Sequence, residues 1–87
     1  MSGNKAEIFD ATVAIVSDLF GIDPAMIDIS TVRSSIAEWD SLQHVNLVLD
    51  LERHFQVHFS ESEVSSIQGI PDLVDLIIRA KNRTVAS

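Results

Sequence analysis

The stretch Trp39-Asp40-Ser41-Leu42-Gln43-His44-Val45-Asn46-Leu47-Val48-Leu49-Asp50-Leu51-Glu52-Arg53-His54-Phe55 decides the fold. Leu42, Val45, Leu49 and Glu52 recur on one stripe at helical spacing, and Val48, Leu51 and Phe55 widen its apolar part. The pattern predicts a helix that starts near Asp40 or Ser41 and ends near Phe55. Asp40 suits the N-cap, because its carboxylate accepts a hydrogen bond from an otherwise unpaired amide and complements the helix dipole. Trp39, just before it, anchors the incoming loop by large apolar burial. Ser41 then stands in the first turn, an exposed hydroxyl at an electropositive helix end.

Working outward, Ile8, Ile15, Val16 and Leu19 recur at helical spacing with Thr12 between them, which predicts a first helix from about Lys5 to Phe20. Gly21 ends it, since glycine adopts the left-handed conformation without steric cost. Ile22 to Glu38 is a long connection. Asp23-Pro24 opens a turn that can carry one short helical turn through Ile27. Ile22, Met26, Ile27, Ile29, Val32 and Ile36 make it too apolar for a free linker, so the loop is expected to pack onto the helices. After the second helix, Val57 and Phe59 are expected to face inward. Ser60 and Glu63 form a capping box, which predicts a short helix through about Ser66. A last helix starts near Pro71, where a missing N–H costs nothing. Ile70, Leu73, Val74, Ile77 and Ile78 give it a buried face, and Arg79, Lys81 and Arg83 complement its negative end. Thr84 to Ser87 are expected to fray. No strand pattern, repeat or low-complexity segment is evident. The expected fold is all-α: a four-helix bundle of three longer helices and one short helix, with a long first loop. It forms one domain over residues 1–87, with a core of about 5–82.

Composition narrows the function. Thirteen acidic residues against six basic ones give a net charge of −7. Such a surface repels nucleic acid and anionic membrane and favours basic protein partners. Cysteine is absent, so disulfides, thiolate nucleophiles and cysteine metal sites are excluded, which fits a reducing compartment. Met1 to Lys5 lead into no apolar signal region, and no apolar run is long enough to span a membrane. A cytoplasmic monomer is expected.

Catalytic constellations are sparse. A serine near a helix start ordinarily caps orphan amides, and Asp-Ser-Leu alone says no more. His44 lies three residues after Ser41, so a Ser–His nucleophile pair is conceivable. No orienting acid or oxyanion loop accompanies it, and His44 is expected to face solvent near a docking surface. Asp50, His54 and His58 are spaced as a metal face, but a helix ending near Phe55 breaks that geometry, so no metal site is expected. Glu61 and Glu63 read as capping charges, and Asp72 and Asp75 as partners of the last helix's dipole. No catalytic set emerges, and the chain is expected not to be an enzyme.

Trp39-Asp40-Ser41-Leu42, then Val45, Leu47, Val48 and Leu51-Glu52-Arg53-His54-Phe55, together with Leu19-Phe20-Gly21-Ile22, Ile67 and Ile70-Pro71-Asp72-Leu73-Val74-Asp75-Leu76-Ile77, resemble the acyl carrier protein family, of the stand-alone bacterial type. The resemblance runs from about Ala6 to Ile78 in matching order. It implies that Ser41 bears a covalent 4′-phosphopantetheine, with Asp40 and Leu42 completing the modification motif. A phosphopantetheinyl transferase would attach it from coenzyme A with Mg²⁺. It also implies acyl chains carried as thioesters for fatty-acid, polyketide or specialised lipid biosynthesis. Asp50, Glu52 and Leu42 would dock acyl-transferring and synthase enzymes through their basic patches. Of the apolar residues on the second helix, Leu42 would be partly exposed, while deeper ones part to shelter an acyl chain. Trp39 stands where the family often has glycine or alanine, and Ala37-Glu38-Trp39 departs from the peptidyl carriers. Asn46 and Arg53 dilute the acidic face to Asp40, Asp50 and Glu52, which points towards a dedicated pathway. The alternatives are an unmodified carrier-like adaptor that acts by protein contact alone, and a small hydrolase using Ser41 and His44.

Overall fold

Four helices account for most of the backbone in the computed structural model, which describes residues 5–86, with side chains as far as Arg83. They are α1 (Lys5–Phe20), α2 (Ser41–Phe55), α3 (Glu61–Ser65) and α4 (Ile70–Ala86). The chain is all-α with three longer helices and one short one, as its periodicity predicts. Helix α4 extends through Thr84 to Ala86. The expectations for Met1 to Asn4 and for Ser87 fall outside the described residues.

Local chemistry sets the helix ends. Gly21 takes φ 68°, and its N–H and that of Ile22 both donate to the Ser17 carbonyl, at 2.9 and 3.1 Å. Within α1 the buried Thr12 hydroxyl is satisfied by the Ile8 carbonyl at 2.7 Å, so a polar residue sits in the core without an orphaned group. Ser60 Oγ accepts the Glu63 N–H while Glu63 Oε1 accepts the Ser60 N–H, a complete capping box. Helix α2 stops at Gln56, a non-glycine residue held left-handed at φ 56°.

The long loop is organised by two short 3₁₀ turns, Pro24–Met26 and Arg33–Ser35. Only the first is foreshadowed by the sequence. Ile27 and Ile36 are buried, as a packed loop requires, whereas Met26, Ile29 and Val32 remain exposed. An isolated antiparallel bridge pairs Val32 with Gly69. In it the Arg33 N–H donates to the Gln68 carbonyl at 2.7 Å and the Ile70 N–H to the Thr31 carbonyl at 2.9 Å. This ties the loop to the start of α4. A Cβ on Gly69 would lie 2.7 Å from the Thr31 oxygen and 2.9 Å from the Val32 Cα, both backbone atoms that cannot swing aside. Gly69→Ala is therefore expected to cost about 1–3 kcal/mol, measured by denaturant unfolding, and an unchanged midpoint would show that the bridge does not hold the loop.

Arg83 of α4 straps α3 down. Its Nη1 donates to Glu63 Oε2 at 3.0 Å, and its Nη2 donates to Glu63 Oε1 and to the His58 carbonyl at 3.3 Å each. The Arg83 hydrogen bond, helped by the Ser60 amide, holds the Glu63 carboxyl below the ordinary glutamate value of 4.5. A carboxyl so lowered adds stability that is complete above 4.5 and lost as pH falls through the folded-state value. The Arg83 side chain is half-exposed, so Arg83→Ala is expected to cost no more than about 1 kcal/mol at neutral pH. That difference should vanish on acidification, read as converging melting temperatures.

The buried face of α2 differs from the stripe that begins at Leu42. Leu47, Val48 and Leu51 face the core with His44, while Leu42, Val45 and Leu49 are 71%, 52% and 48% exposed. Both sets have helical spacing. Leu47 and Leu51 join Val16 of α1 and Leu73 and Ile77 of α4 in the fully buried centre, and burying that set turns the Leu42 stripe outward.

Candidate functional site at the start of the second helix

Ser41 is the first residue of α2 and is exposed. Asp40 is the N-cap, extended at φ −95° and ψ −175°, and its Oδ1 accepts the Gln43 N–H at 2.9 Å. The Gln43 side chain is in turn held by Asn46 Nδ2 at 2.9 Å. Because Asp40 supplies the cap, the Ser41 hydroxyl is left for other chemistry. The amides of Ser41 and Leu42 open the positive end of a 15-residue helix dipole. A phosphodiester on Ser41 fits this corner, with an exposed point of attachment, amide donors and a favourable field worth about 0.3–1 kcal/mol.

His44 corrects the sequence reading. It is buried, not solvent-facing. Trp39 Nε1–H donates to His44 Nδ1 at 2.9 Å, and His44 Nε2 lies 2.9 Å from the Val64 carbonyl of α3. Both ring nitrogens are thereby committed away from Ser41, so there is no Ser–His nucleophile pair. Trp39 is 4% exposed and packs against the Phe20 ring at 5.8 Å and the His44 ring at 6.1 Å. The signal for this pair lay in the sequence: His44 continues the buried Leu47 and Leu51 row one turn back. Its polarity suggested exposure where its register indicated burial.

The exposed Leu42, Val45 and Leu49 lead from Ser41 along α2. Beside them, between α2 and α3, lies an open groove of about 360 Å³ walled by Val45, Val48, Leu49, Phe59 and Val64, with Glu52 on its rim. Glu52 is half-buried; its Oε2 accepts the Phe59 N–H at 2.9 Å and stands 3.3 Å from His58 Nδ1. Asp50 is half-buried too. His58 follows the left-handed turn at Gln56 and leaves the face of Asp50 and His54. Among the described residues no three His, Cys, Asp or Glu side chains gather as a metal site, and no helix is long and apolar enough to cross a membrane.

Residues 10–77 match the family model described as the phosphopantetheine attachment site. The acyl carrier protein of Thermosynechococcus vestitus is 30% identical over 74 residues, which span 85% of this chain and 91% of that protein. The chain belongs to the acyl carrier protein family. Members of this family are carriers rather than enzymes, and their cofactor, 4′-phosphopantetheine, is the cofactor of this chain. The acyl carrier protein of Thermotoga maritima is 28% identical over the same length. The solution structure of a holo acyl carrier protein from Geobacter metallireducens superposes with a TM-score of 0.80 at 31% identity, covering 90% of each chain. The Thermotoga maritima carrier crystal structure also gives 0.80, covering 92% of this chain and 93% of that one; at 24% identity it speaks to the fold alone.

Proposed function

We propose that Ser41 is the attachment point of the 4′-phosphopantetheine and that the chain passes acyl intermediates between enzymes as thioesters. The observation that carries this reading is the exposed Ser41 hydroxyl at the first position of α2, relieved of capping by Asp40. In the loading step Ser41 Oγ attacks the β-phosphorus of coenzyme A. A new P–O bond forms, the bond to 3′,5′-ADP breaks, and the serine proton passes to a base of the transferase. Such division of labour explains a modified serine without a local triad. Bound there, the arm supplies the thiol that forms the thioester.

Asp40 and Leu42 flank Ser41 as its recognition motif. Leu42 presents an exposed apolar contact, and Asp50 and Glu52 add negative charge beside it for synthases and acyl-transferring enzymes with basic patches. Glu52 keeps one oxygen on the Phe59 amide, so its docking contribution is that of a fixed charge. The groove beside Val45 and Leu49 suits an acyl chain. We place the chain in the cytoplasm, as a monomer that is not itself an enzyme. It serves fatty-acid, polyketide or specialised lipid synthesis, and the diluted acidic face favours a dedicated pathway.

Incubation with coenzyme A, Mg²⁺ and a broad-specificity phosphopantetheinyl transferase tests the assignment, read by intact mass. An adaptor that works by contact alone gains no mass.

A further inference from the structure

Among the described residues, the buried Trp39–His44 pair is left without a task by the carrier reading. Indole Nε1–H can only donate, so His44 Nδ1 must be the acceptor. The Val64 carbonyl can only accept, so His44 Nε2 must carry the hydrogen. The ring is therefore neutral and in a single tautomer. It joins three parts of the molecule: Trp39 at the end of the loop, α2 through its own backbone, and α3 through Val64. Trp39 is the residue before Asp40, and Asp40 sets the first turn in which Ser41 stands. The Trp39 backbone is fastened as well, with its N–H on the Ile36 carbonyl at 3.1 Å and its carbonyl in long contact with Arg33 Nε at 3.5 Å.

We propose that His44 is a positioning residue for the modification of Ser41, holding Trp39 and the entrance of α2 in place through the hydrogen bond at its Nδ1. The Nε2 bond to Val64 fixes the ring on α3 and so aims Nδ1 at the Trp39 N–H; losing the Nδ1 acceptor frees Trp39 and the Asp40–Ser41 turn while the Val64 bond can remain. Helix α1 reaches the pair through apolar Phe20. Both ring nitrogens are bonded, to Trp39 and to Val64. The inference rests on the assignment of Ser41 as the attachment point.

Trp39 is the only tryptophan, so its emission reports on the latch directly. Two substitutions separate the two bonds. His44→Asn keeps an oxygen near the place of Nδ1, and so an acceptor for Trp39. His44→Gln reaches towards Val64 and offers Trp39 nothing. Loading of Ser41 by the transferase is timed for native protein, H44N and H44Q side by side at one pH. H44N should load within about 2-fold of native and H44Q roughly 2- to 10-fold more slowly, the span one intramolecular hydrogen bond carries. Trp39 emission should match the native spectrum in H44N and depart from it in H44Q, and nitrogen shifts of the native ring should report hydrogen on Nε2 alone. H44Q loading at the native rate, H44N loading as slowly as H44Q, or hydrogen on Nδ1 overturns the proposal. Should H44N fail to fold, H44Q loading and the native ring shifts decide it alone. If no form gains the group while a control carrier does, the Ser41 assignment falls and the positioning role falls with it, whatever Trp39 emission does.

Discussion

Trp39→Ala is expected to lower the stability of the fold by about 3–5 kcal/mol, the range for emptying a buried tryptophan site. Two losses combine. The indole is 4% exposed and wedged between Phe20 of α1 and His44 of α2, so its removal leaves a void that the surrounding rings cannot all collapse into. It also strips the only donor from His44 Nδ1, a buried acceptor, and an unsatisfied buried group costs about 1–3 kcal/mol by itself. Domains of this size are stable by only about 5–15 kcal/mol in total, so the variant should unfold at much lower denaturant and melt more than about 10 °C below the native protein. Trp39→Phe separates the two terms, restoring most of the apolar volume without the hydrogen bond, and should fall between. A Trp39→Ala variant within about 1 kcal/mol of native would mean that the loop is anchored elsewhere.

What could be read from the residues and what could not divides along the range of the interactions. Gly21, Asp40 and the Ser60–Glu63 box act within a turn of themselves, so the ends of α1 to α3 were legible from local chemistry. The Val32–Gly69 bridge joins segments far apart in sequence, and nothing in either segment announces the other. Helix α2 carries apolar residues on two sides. Periodicity finds both stripes but cannot choose between them, because the choice is made by Val16 of α1 and by Leu73 and Ile77 of α4 meeting Leu47 and Leu51. The same ambiguity hid His44, whose register belonged to the buried row. The place of Ser41 in the first turn was legible because Asp40 marks the start of the helix. That Asp40 caps the helix in its place was legible too; which amide the carboxylate takes, that of Gln43, was not. Glu52 reads as surface charge in sequence, but the fold turns it onto the amide of Phe59.

Ser41→Ala is expected to abolish modification completely while leaving the fold intact. The hydroxyl is exposed, and the helix start is capped by Asp40. Its removal should therefore change stability by no more than about 0.5 kcal/mol. Asp40→Ala makes the contrasting case. It removes the cap at a cost of about 1 kcal/mol and disturbs the turn that presents Ser41, so loading should slow without vanishing. The separation between a variant that folds natively yet cannot be loaded and one that folds less well yet still can is what an attachment residue predicts. A serine that merely starts a helix gives no such separation.

Intact mass of native protein and Ser41→Ala, treated in parallel with coenzyme A, Mg²⁺ and a transferase shown active on a control carrier, tests the account most directly. The native chain should gain the mass of one phosphopantetheinyl group and Ser41→Ala none. A native chain that stays at its unmodified mass, or a Ser41→Ala chain that gains the group, would contradict it.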